Sequence, residues 1–500
     1  MKTNSLDFDA QALREKILDL AMRGKLVPQD PNDEPASVLL DKIKAEKAEL
    51  IKEKKIKKTK SLPPITDDEK PFDIPDSWEW VRLGDVGTIT SGGTPKTSEK
   101  SYWEEGKIPW ITPAVMSASQ NDIVFNNKDV KYINNLGLEK SSAHLIQKDS
   151  LVVSSRAPIG YVNIVPFEYT TNQGCKSVSL YDDTNKQFIY FAIKNAVPEM
   201  NRRASGTTFK EISGTKFGQT IVPLPPLSEQ SRIAAKIAQL FALLRKVESS
   251  TQQYAKLQTL LKSKVLDLAM RGKLVKQDPN DEPASELLKK IKAEKAELIK
   301  EKKIKKSKPL PPITDEEKPF DIPDSWEWVR LGDLVSPVEY AMADGPFGSN
   351  LKKADYTNQP EVRIVQLSNI GENGWKDDNV KYTTFDHLKL IRRSEVFPGN
   401  IVIAKMMPAG RAILIPNKDK KYVLSSDAVK FIPTDLLNKQ FLLNAINSNV
   451  YRDQVNKKLQ GTTRPRTSLK KLKNFVLPIP PIQEQKRILS KLSMLKQDLI

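Results

Sequence analysis

Two blocks of the chain carry polar and basic side chains in tracts whose pattern indicates turns between short strands. Arginine can donate paired hydrogen bonds to guanine, asparagine and glutamine pair with adenine, and lysine mostly meets phosphate. In the first block the candidates are Lys96, Arg156, Asn172, Gln173, Lys176, Arg202, Arg203, Thr207, Thr208 and Lys210. In the second block they are Ser349, Asn350, Lys352, Lys353, Lys405, Arg411, Thr462, Thr463, Arg464 and Arg466. This chemistry predicts nucleic-acid contacts, and the alternative for any single residue is a solvated loop position.

The overall charge favours the same class of partner. The formal net charge is +18 over 500 residues, and a chain this basic most often meets a polyanion. One cysteine, Cys175, excludes an intrachain disulfide and fits a reducing compartment. No apolar run of about 18 residues or signal-like start is present, so we expect a cytoplasmic protein that does not enter a membrane.

Residue sets that would support catalysis are missing from the sequence. The Pro-Pro tracts read "LPPI", "LPPL" and "IPPI", without the aromatic residue that grips a flipped adenine in methyltransferases. No glycine-rich loop suits a cofactor phosphate. His144 and His387 lie in different blocks and far from Cys175, so neither a zinc site nor a Cys–His dyad is predicted. The sequence therefore favours a binding protein without a metal or cofactor of its own.

A long internal repeat frames the two blocks. Residues 16–85 match 264–333 without a gap, and only seven of the 70 positions differ. A second repeat relates "VPLPPLSEQSRI" at 222–233 to "LPIPPIQEQKRI" at 477–488. The blocks in between, 86–220 and 334–475, share almost nothing beyond "GTT". A nearly constant frame around dissimilar inserts suggests one geometric task carried out on two different targets.

Heptad spacing follows the first "EQ" and predicts a helix over about 229–271, roughly 65 Å long. Its seam residues are matched at both ends of the chain, which predicts a second helix begun by the C-terminus and completed by the N-terminus. The seam comprises Ile233, Ile237, Leu240, Leu244, Leu261 and Leu268 in the first helix and Ile488, Leu492, Leu495, Leu13, Ile17 and Leu20 in the second. We therefore expect two long antiparallel coiled-coil helices in a circular, pseudo-two-fold repeat.

Each spacer is followed by a basic arm, defined here as residues 41–60 and 289–308. The first arm holds nine lysines against four acids, and the second holds ten against three. The pattern predicts an amphipathic helix that frays into "KEKKIKK". Attraction to phosphate and simple solvation both remain open for these lysines.

The motifs "IPDSWEWVRLGD", "SGGTP" and "PLPPLSEQSRI" with a long helix after them resemble the specificity subunit of Type I restriction-modification systems. The second half, with "VRIVQLSNIGENGW" and "PIPPIQEQKRI", resembles another target recognition domain of that family. The resemblance implies an α+β fold with two α/β target recognition domains held apart by helical spacers. It also implies a non-catalytic subunit that binds a bipartite double-stranded DNA target. The implied partners are two methyltransferase (M) subunits carrying S-adenosylmethionine and, through the complex, restriction (R) subunits.

We expect five segments along the chain. Residues 1–70 form a helical region with a basic arm, and residues 71–225 form the first recognition domain. Residues 226–318 form the spacer with the second basic arm, residues 319–480 form the second recognition domain, and residues 481–500 begin the last helix. Two other functions remain open: a coiled-coil adaptor that presents two protein-binding modules, and a nuclease or methylase in its own right.

Overall fold

The computed structural model describes residues 9–58, 61–156, 158–181, 184–206, 210–304, 306 and 308–498. They fall into two compact units, one up to Thr251 and one from Gln252 onward, here called the amino-terminal and the carboxy-terminal unit. Both units combine helices with β-sheets, so the mixed α and β content is confirmed. No helix in these ranges is long and apolar enough to cross a membrane.

The amino-terminal unit contains most of the first block and its frame. Its helices are α1 (Ala10–Met22), α2 (Ala36–Lys52), α3 (Leu83–Val86), α4 (Pro113–Met116), α5 (Asn135–Glu139), α6 (Lys186–Arg203), α7 (Gly214–Gly218) and the start of α8 (Leu227–Met270). Its strands are β1 (Glu79–Arg82), β2 (Gly87–Ser91), β3 (Ile108–Ile111), β4 (Lys131–Ile133), β5 (Ser150–Ser155), β6 (Ile159–Val165), β7 (Thr170–Thr171), β8 (Cys175–Leu180) and β9 (Ile221–Leu224). Short 3-10 turns cover Asp67–Glu69, Lys100–Tyr102 and Ser117–Ser119.

The carboxy-terminal unit begins within α8. Its further helices are α9 (Ala284–Lys300), α10 (Phe385–Leu390), α11 (Lys439–Asn447), α12 (Asn449–Lys457), α13 (Leu469–Asn474) and α14 (Ile482–Asp498). Its strands are β10 (Glu327–Arg330), β11 (Met342–Asp344), β12 (Val362–Val365), β13 (Ile370–Gly371), β14 (Gly374–Trp375), β15 (Tyr382–Thr383), β16 (Glu395–Val396), β17 (Ile401–Ala404), β18 (Ala412–Leu414), β19 (Tyr422–Leu424), β20 (Ala428–Phe431) and β21 (Val476–Ile479). Its 3-10 turns cover Asp315–Glu317, Leu331–Leu334, Lys353–Asp355, Leu367–Asn369 and Arg392–Ser394.

The two blocks share one strand order despite their dissimilar sequences. The central antiparallel sheet runs β2-β8-β5-β6 in one unit and β11-β20-β17-β18 in the other. A second sheet contains a parallel pair in each unit, β3 with β7 and β12 with β19. The frame closes each block with an antiparallel pair, β1 with β9 and β10 with β21. The central sheet and the closing pair therefore share one topology in the two units, whereas the second sheet has three strands in one unit and four in the other.

The tetrapeptide Asn-Lys-Gln-Phe corrects the expectation that the blocks share little beyond "GTT". It occurs at 185–188 and again at 438–441, where the asparagine side chain caps α6 and α11. The backbone N–H of Asn185 donates to Gln230 at 3.0 Å, and that of Asn438 donates to Gln485 at 3.1 Å. Both glutamines belong to the repeated "EQ" motif. This repeat was missed because it is only four residues long, and tertiary contacts show that it ties each block to its frame.

Helix α8 follows directly from its sequence. It begins after Pro225 and Pro226, and no glycine or proline interrupts it. It ends two residues before Gly272, whose φ of +66° lies in the left-handed region that favours glycine at a helix end. The predicted helix over 229–271 is confirmed to within two residues at each end.

Each unit packs an end of α8 against another helix. In the amino-terminal unit Arg14 of α1 pairs with Glu248 at 3.0 Å, whereas Gln29, just after α1, donates to Glu229 at 2.6 Å. The order of these contacts makes α1 antiparallel to this part of α8. In the carboxy-terminal unit α14 contacts the segment after α8, where Gln277 donates to Glu484 at 2.6 Å.

The predicted seam is buried at the start of α8 and of α14 and is more exposed farther along. Ile233, Ile237, Ile488 and Leu492 are buried, and Ile17, Leu20, Leu240, Leu244, Leu268 and Leu495 are half-buried. Leu13 and Leu261 are exposed. The predicted junction of the two termini involves residues 1–8, 499 and 500, which lie outside the described residues.

The helix in each basic arm ends more sharply than the sequence predicts. Helix α2 buries Leu39 and Ile43 in the core, and its last turn closes through the N–H of Lys55 bonding to the carbonyl of Leu50 at 2.9 Å. Lys54 takes a φ of +60° at this point, and Ile56 packs on the core beyond it. The helix therefore does not fray as expected, because an apolar contact fixes the chain after its end.

Candidate nucleic-acid interface

The turn between β5 and β6 presents Arg156 at the end of the central sheet. Ser154 fixes this turn: its hydroxyl accepts from the N–H of Gly160 at 3.1 Å and donates to the carbonyl of Pro158 at 2.8 Å. Gly160 has a φ of +112°, a conformation that a side chain would strain. The side chain of Arg156 follows the end of β5 and is about a third exposed.

The "GTT" loop closes against the same turn. Ser205 and Glu211 exchange two backbone hydrogen bonds of 3.0 and 2.9 Å, and the N–H of Ile212 donates to the carbonyl of Ser155 at 3.0 Å. Lys210 is exposed beside this closure, whereas Thr207 and Thr208 lie outside the described residues. Two tracts that are 50 residues apart in the sequence thus meet at one place.

The loop before β8 lies against the end of β5, next to these two tracts. The N–H of Ser155 donates to the carbonyl of Gly174 at 2.7 Å, and the ammonium of Lys176 donates to the carbonyl of Gln173 at 2.9 Å. Asn172 is half-buried, and its side-chain oxygen accepts from the N–H of Gly174 at 3.0 Å. The structure therefore brings Arg156, Asn172, Gln173, Lys176 and Lys210 into one cluster.

A shared carboxylate organises the charges of this cluster. A carboxylate oxygen of Glu211 lies 3.7 Å from the guanidinium of Arg156, and the other lies 3.6 Å from the ammonium of Lys176. Lys176 is buried, and this burial lowers its pKa while Glu211 acts in the opposite direction. Glu211 did not stand out in the sequence, because a lone acid near lysines is too common to carry a prediction.

The remaining candidates of the first block are placed differently. Arg202 and Arg203 form the last turn of α6, which corrects the expectation that they lie on a loop. Arg202 is exposed, but Arg203 pairs with Glu199 and donates to the carbonyl of Lys216 at 2.9 Å. Arg203 thus stabilises the fold. Lys96 is exposed on the loop after β2.

The carboxy-terminal unit builds an equivalent site from other side chains. Gln460 and Arg466 exchange backbone hydrogen bonds of 3.0 and 2.8 Å across the second "GTT" loop, and the N–H of Thr467 donates to the carbonyl of Lys405 at 2.9 Å. Lys405 pairs with Asp344 at 2.8 Å. Arg411 pairs with Glu372. The exposed candidates on this loop are Thr462, Thr463, Arg464 and Arg466.

A separate turn carries the other candidates of the second block. Ser349, Asn350 and Lys352 are exposed between β11 and the following 3-10 turn, and Lys353 is exposed at the first position of that turn. The ring of His387 contacts the carbonyl of Asn350 at 2.8 Å, so this histidine supports the turn. His144 is exposed, and Cys175 is buried against Met116, where burial raises the pKa of its thiol to about 12. Cys175 therefore packs as a small, fully buried side chain.

Comparison with known proteins identifies the family. A family model for the Type I restriction modification DNA specificity domain matches residues 75–258 and 323–500, well over half of the chain. The chain belongs to this family. The resemblance to specificity subunits of Type I restriction-modification systems is thereby confirmed, and the family's domain occurs once around each of the two sites described above.

Two Escherichia coli relatives extend the match over nearly the full length. The chain is 33% identical to the EcoAI specificity subunit, covering 98% of this chain and 89% of that subunit. It is 30% identical to the EcoEI specificity subunit, covering 97% and 88%. A solved structure described as the basis of complex assembly and conformational transition of a Type I system matches with a TM-score of 0.58 at 19% identity, over 86% of this chain and 92% of that one. It supports the fold.

Proposed function

We propose that this specificity subunit reads a bipartite double-stranded DNA target, one half with each unit. The observation that carries the proposal is the pair of equivalent sites. The closure of each "GTT" loop against the end of a central strand is the same, but the side chains differ, with Arg156, Lys176 and Glu211 in one and Lys405, Asp344 and Arg466 in the other. One backbone with two sets of polar groups suits two unrelated half-sites.

We further propose that α8 and a composite of α14 and α1 act as two antiparallel spacers related by a pseudo-two-fold axis. The packing of α1 on α8 in one unit and the matching frame contacts of α14 in the other support this arrangement. The spacers would dock two methyltransferase subunits, which bring S-adenosylmethionine, and restriction subunits would join through them. The chain itself would not catalyse methylation or cleavage, and it would act in the cytoplasm.

Methylation mapping tests this function. The chain is co-expressed with the methyltransferase subunit of its own system in a host without other adenine methylation, and the methylated motif is sequenced. We expect one bipartite motif. Replacing residues 86–220 with the corresponding block of the EcoAI subunit should change one half of that motif and leave the other half unchanged.

The alternative outcomes are distinct. A motif that changes in both halves after the exchange would contradict independent recognition by the two units. Co-purification with protein partners but no methylated motif and no DNA binding would instead support the adaptor function. Cleavage or methylation of DNA by the purified chain alone, supplied with S-adenosylmethionine and Mg²⁺, would overturn the non-catalytic assignment.

A further inference from the structure

The residue that closes each "GTT" loop occupies an equivalent position in the two units. Glu211 and Arg466 each pair through two backbone hydrogen bonds with the residue before the loop glycine, Ser205 and Gln460. Each also forms a bridge with the turn after the central strand, at Arg156 and Met406. The backbone therefore fixes these two residues in the same way, whereas their side chains carry opposite charges.

The opposite charges have different surroundings. Glu211 lies between two cations, at 3.7 Å from Arg156 and 3.6 Å from Lys176. Arg466 is exposed, and the described part of the chain places no carboxylate within 4.0 Å of it. One side chain is thus occupied within the protein, and the other is available to a ligand.

We propose that this loop-closing position determines specificity in both half-sites, by positioning in one unit and by direct contact in the other. In the amino-terminal unit Glu211 orients the guanidinium of Arg156 toward a guanine. In the carboxy-terminal unit Arg466 itself donates to a guanine. The inference rests on the proposed function, because it assumes that these two surfaces meet DNA bases.

The chemistry of arginine supports a positioning role for Glu211. Bidentate reading of guanine needs the planar fork of the guanidinium held in one orientation, and a carboxylate neighbour limits its rotation. Gly174 leaves room for the same side chain, because a Cβ built there would lie 3.1 Å from Nε of Arg156. The side chain of Arg156 therefore lies close to both a carboxylate and a glycine and stays about a third exposed.

The experiment uses the complex with the methyltransferase subunit and maps methylated motifs for Glu211→Gln, Glu211→Asp, Arg156→Lys and Arg466→Gln. In Glu211→Gln and Arg156→Lys we expect one guanine of one half-site to become degenerate, with about 10-fold to 100-fold less discrimination there. Glu211→Asp should keep most of the preference. Arg466→Gln should relax one guanine in the other half-site only.

A double variant separates positioning from independent contacts. If Glu211 acts through Arg156, the combination of Glu211→Gln with Arg156→Lys should lose no more discrimination than Arg156→Lys alone. Thermal unfolding and co-purification with the methyltransferase subunit check that each variant folds and assembles. Arg203→Gln, at an arginine engaged within the fold, is the control that should leave both halves of the motif unchanged.

Three results would overturn the inference while leaving the proposed function intact. They are an unchanged motif in Glu211→Gln, a change in the half-site of the other unit, and additive losses in the double variant. A wild-type complex that methylates no bipartite motif would instead overturn the proposed function, and the inference with it.

Discussion

Trp78 donates its indole N–H to a carboxylate oxygen of Glu229 over 2.9 Å, and Trp326 donates in the same way to Glu484 over 2.9 Å. Both tryptophans precede the first strand of the frame, and both glutamates lie in the first turn of a frame helix. The repeated motifs "DSWEW" and "EQ", separated by about 150 residues, therefore meet in each unit. This contact links the segment just before β1 or β10 to the first turn of the frame helix in the same unit.

Removing the indole donor should destabilise the unit that contains it. In Trp78→Phe a buried carboxylate loses a hydrogen bond, and we expect a loss of about 1–3 kcal/mol in the free energy of unfolding. Trp326→Phe should show a similar loss. Chemical denaturation followed by circular dichroism measures both. Trp80→Phe, at the half-buried neighbour, is the control, and equal losses at Trp78 and Trp80 would contradict a specific role for the hydrogen bond.

The same carboxylates should give the frame a pH dependence. Burial raises the pKa of Glu229 and of Glu484, and the bonds from Trp78 and Gln29 only partly offset it for Glu229. Because the pKa of each carboxyl is higher in the folded protein than in the unfolded chain, its protonation stabilises the fold fully below the unfolded pKa of 4.5. This stabilisation is lost as pH rises through the folded pKa. Glu229→Gln does not titrate, so its stability relative to wild type should improve between pH 5 and pH 8. Denaturation at both pH values measures this, and a constant difference would contradict it.

A buried arginine fixes the proline-rich segment after the first basic arm. The guanidinium of Arg82 donates to the carbonyls of Pro63 at 2.8 Å and Pro64 at 3.2 Å, and to Glu69 at 2.8 Å. Its hydrogen bond lowers the pKa of Glu69. Arg330 forms the corresponding contacts with Pro311, Pro312 and Glu317.

Replacing Arg82 should therefore loosen this segment. In Arg82→Met several charge-assisted hydrogen bonds disappear, and we expect a loss of about 2–3 kcal/mol and faster proteolysis at the nearby lysines. Asp67→Asn removes an exposed ion pair with Lys70 and should cost less than about 0.5 kcal/mol. Because the pKa of Glu69 is lowered in the folded protein, its ion pair with Arg82 stabilises the fold fully above the unfolded pKa of 4.5. This stabilisation is lost as pH falls through the folded pKa. Equal rates of proteolysis in Arg82→Met and wild type would contradict the role of Arg82 in fixing the proline-rich segment.

The sequence predicted the frame far better than the sites. The gap-free repeat and the absence of glycine and proline from α8 were local signals, so the long helix could be located to within two residues. The meeting of Arg156, Gly174 and Glu211 depends on strand pairing between distant segments, which no local pattern encodes. Aligning the two "GTT" tracts at the offset of the "EQ" repeat would have paired Glu211 with Arg466. That comparison needs only the sequence.

The end of each arm helix is a second place where tertiary contacts determine the structure. Lys54 and Lys302 have φ values of +60° and +57°, which glycine adopts more easily than lysine. Lys54→Gly and Lys302→Gly should each raise the free energy of unfolding by about 0.5–1 kcal/mol. Ala48→Gly and Ala296→Gly, within the same helices, should lower it by about 1 kcal/mol. Calorimetry of the full chain distinguishes the two pairs, and destabilisation by Lys54→Gly would refute the conformational argument.

The lysines around these helix ends allow a test of phosphate contact. In the described part of the chain Lys54, Lys57, Lys58, Lys302, Lys306 and Lys308 form no ion pair, whereas Lys44, Lys55, Lys289 and Lys303 each pair with an acid. The arms contain lysine and no arginine, and lysine is depleted from protein interfaces but common at phosphates. Attraction to the DNA backbone therefore fits this composition better than attraction to an acidic protein.

Changing the unpaired lysines to glutamine should weaken DNA binding without altering the sequence that is read. Each lost phosphate contact reduces the magnitude of the slope of log affinity against log salt by about 0.9, so changing the three unpaired lysines of one arm should reduce it by up to roughly 2.7. Fluorescence anisotropy of the complex on a target duplex and on an unrelated duplex, over a salt series, measures both slopes. Changing Lys44, Lys55, Lys289 and Lys303 instead should have a smaller effect, because their charge is already balanced. Unchanged slopes in both sets would mean that the arms are solvated surfaces, and a change confined to the target duplex would mean that the lysines contribute to base recognition.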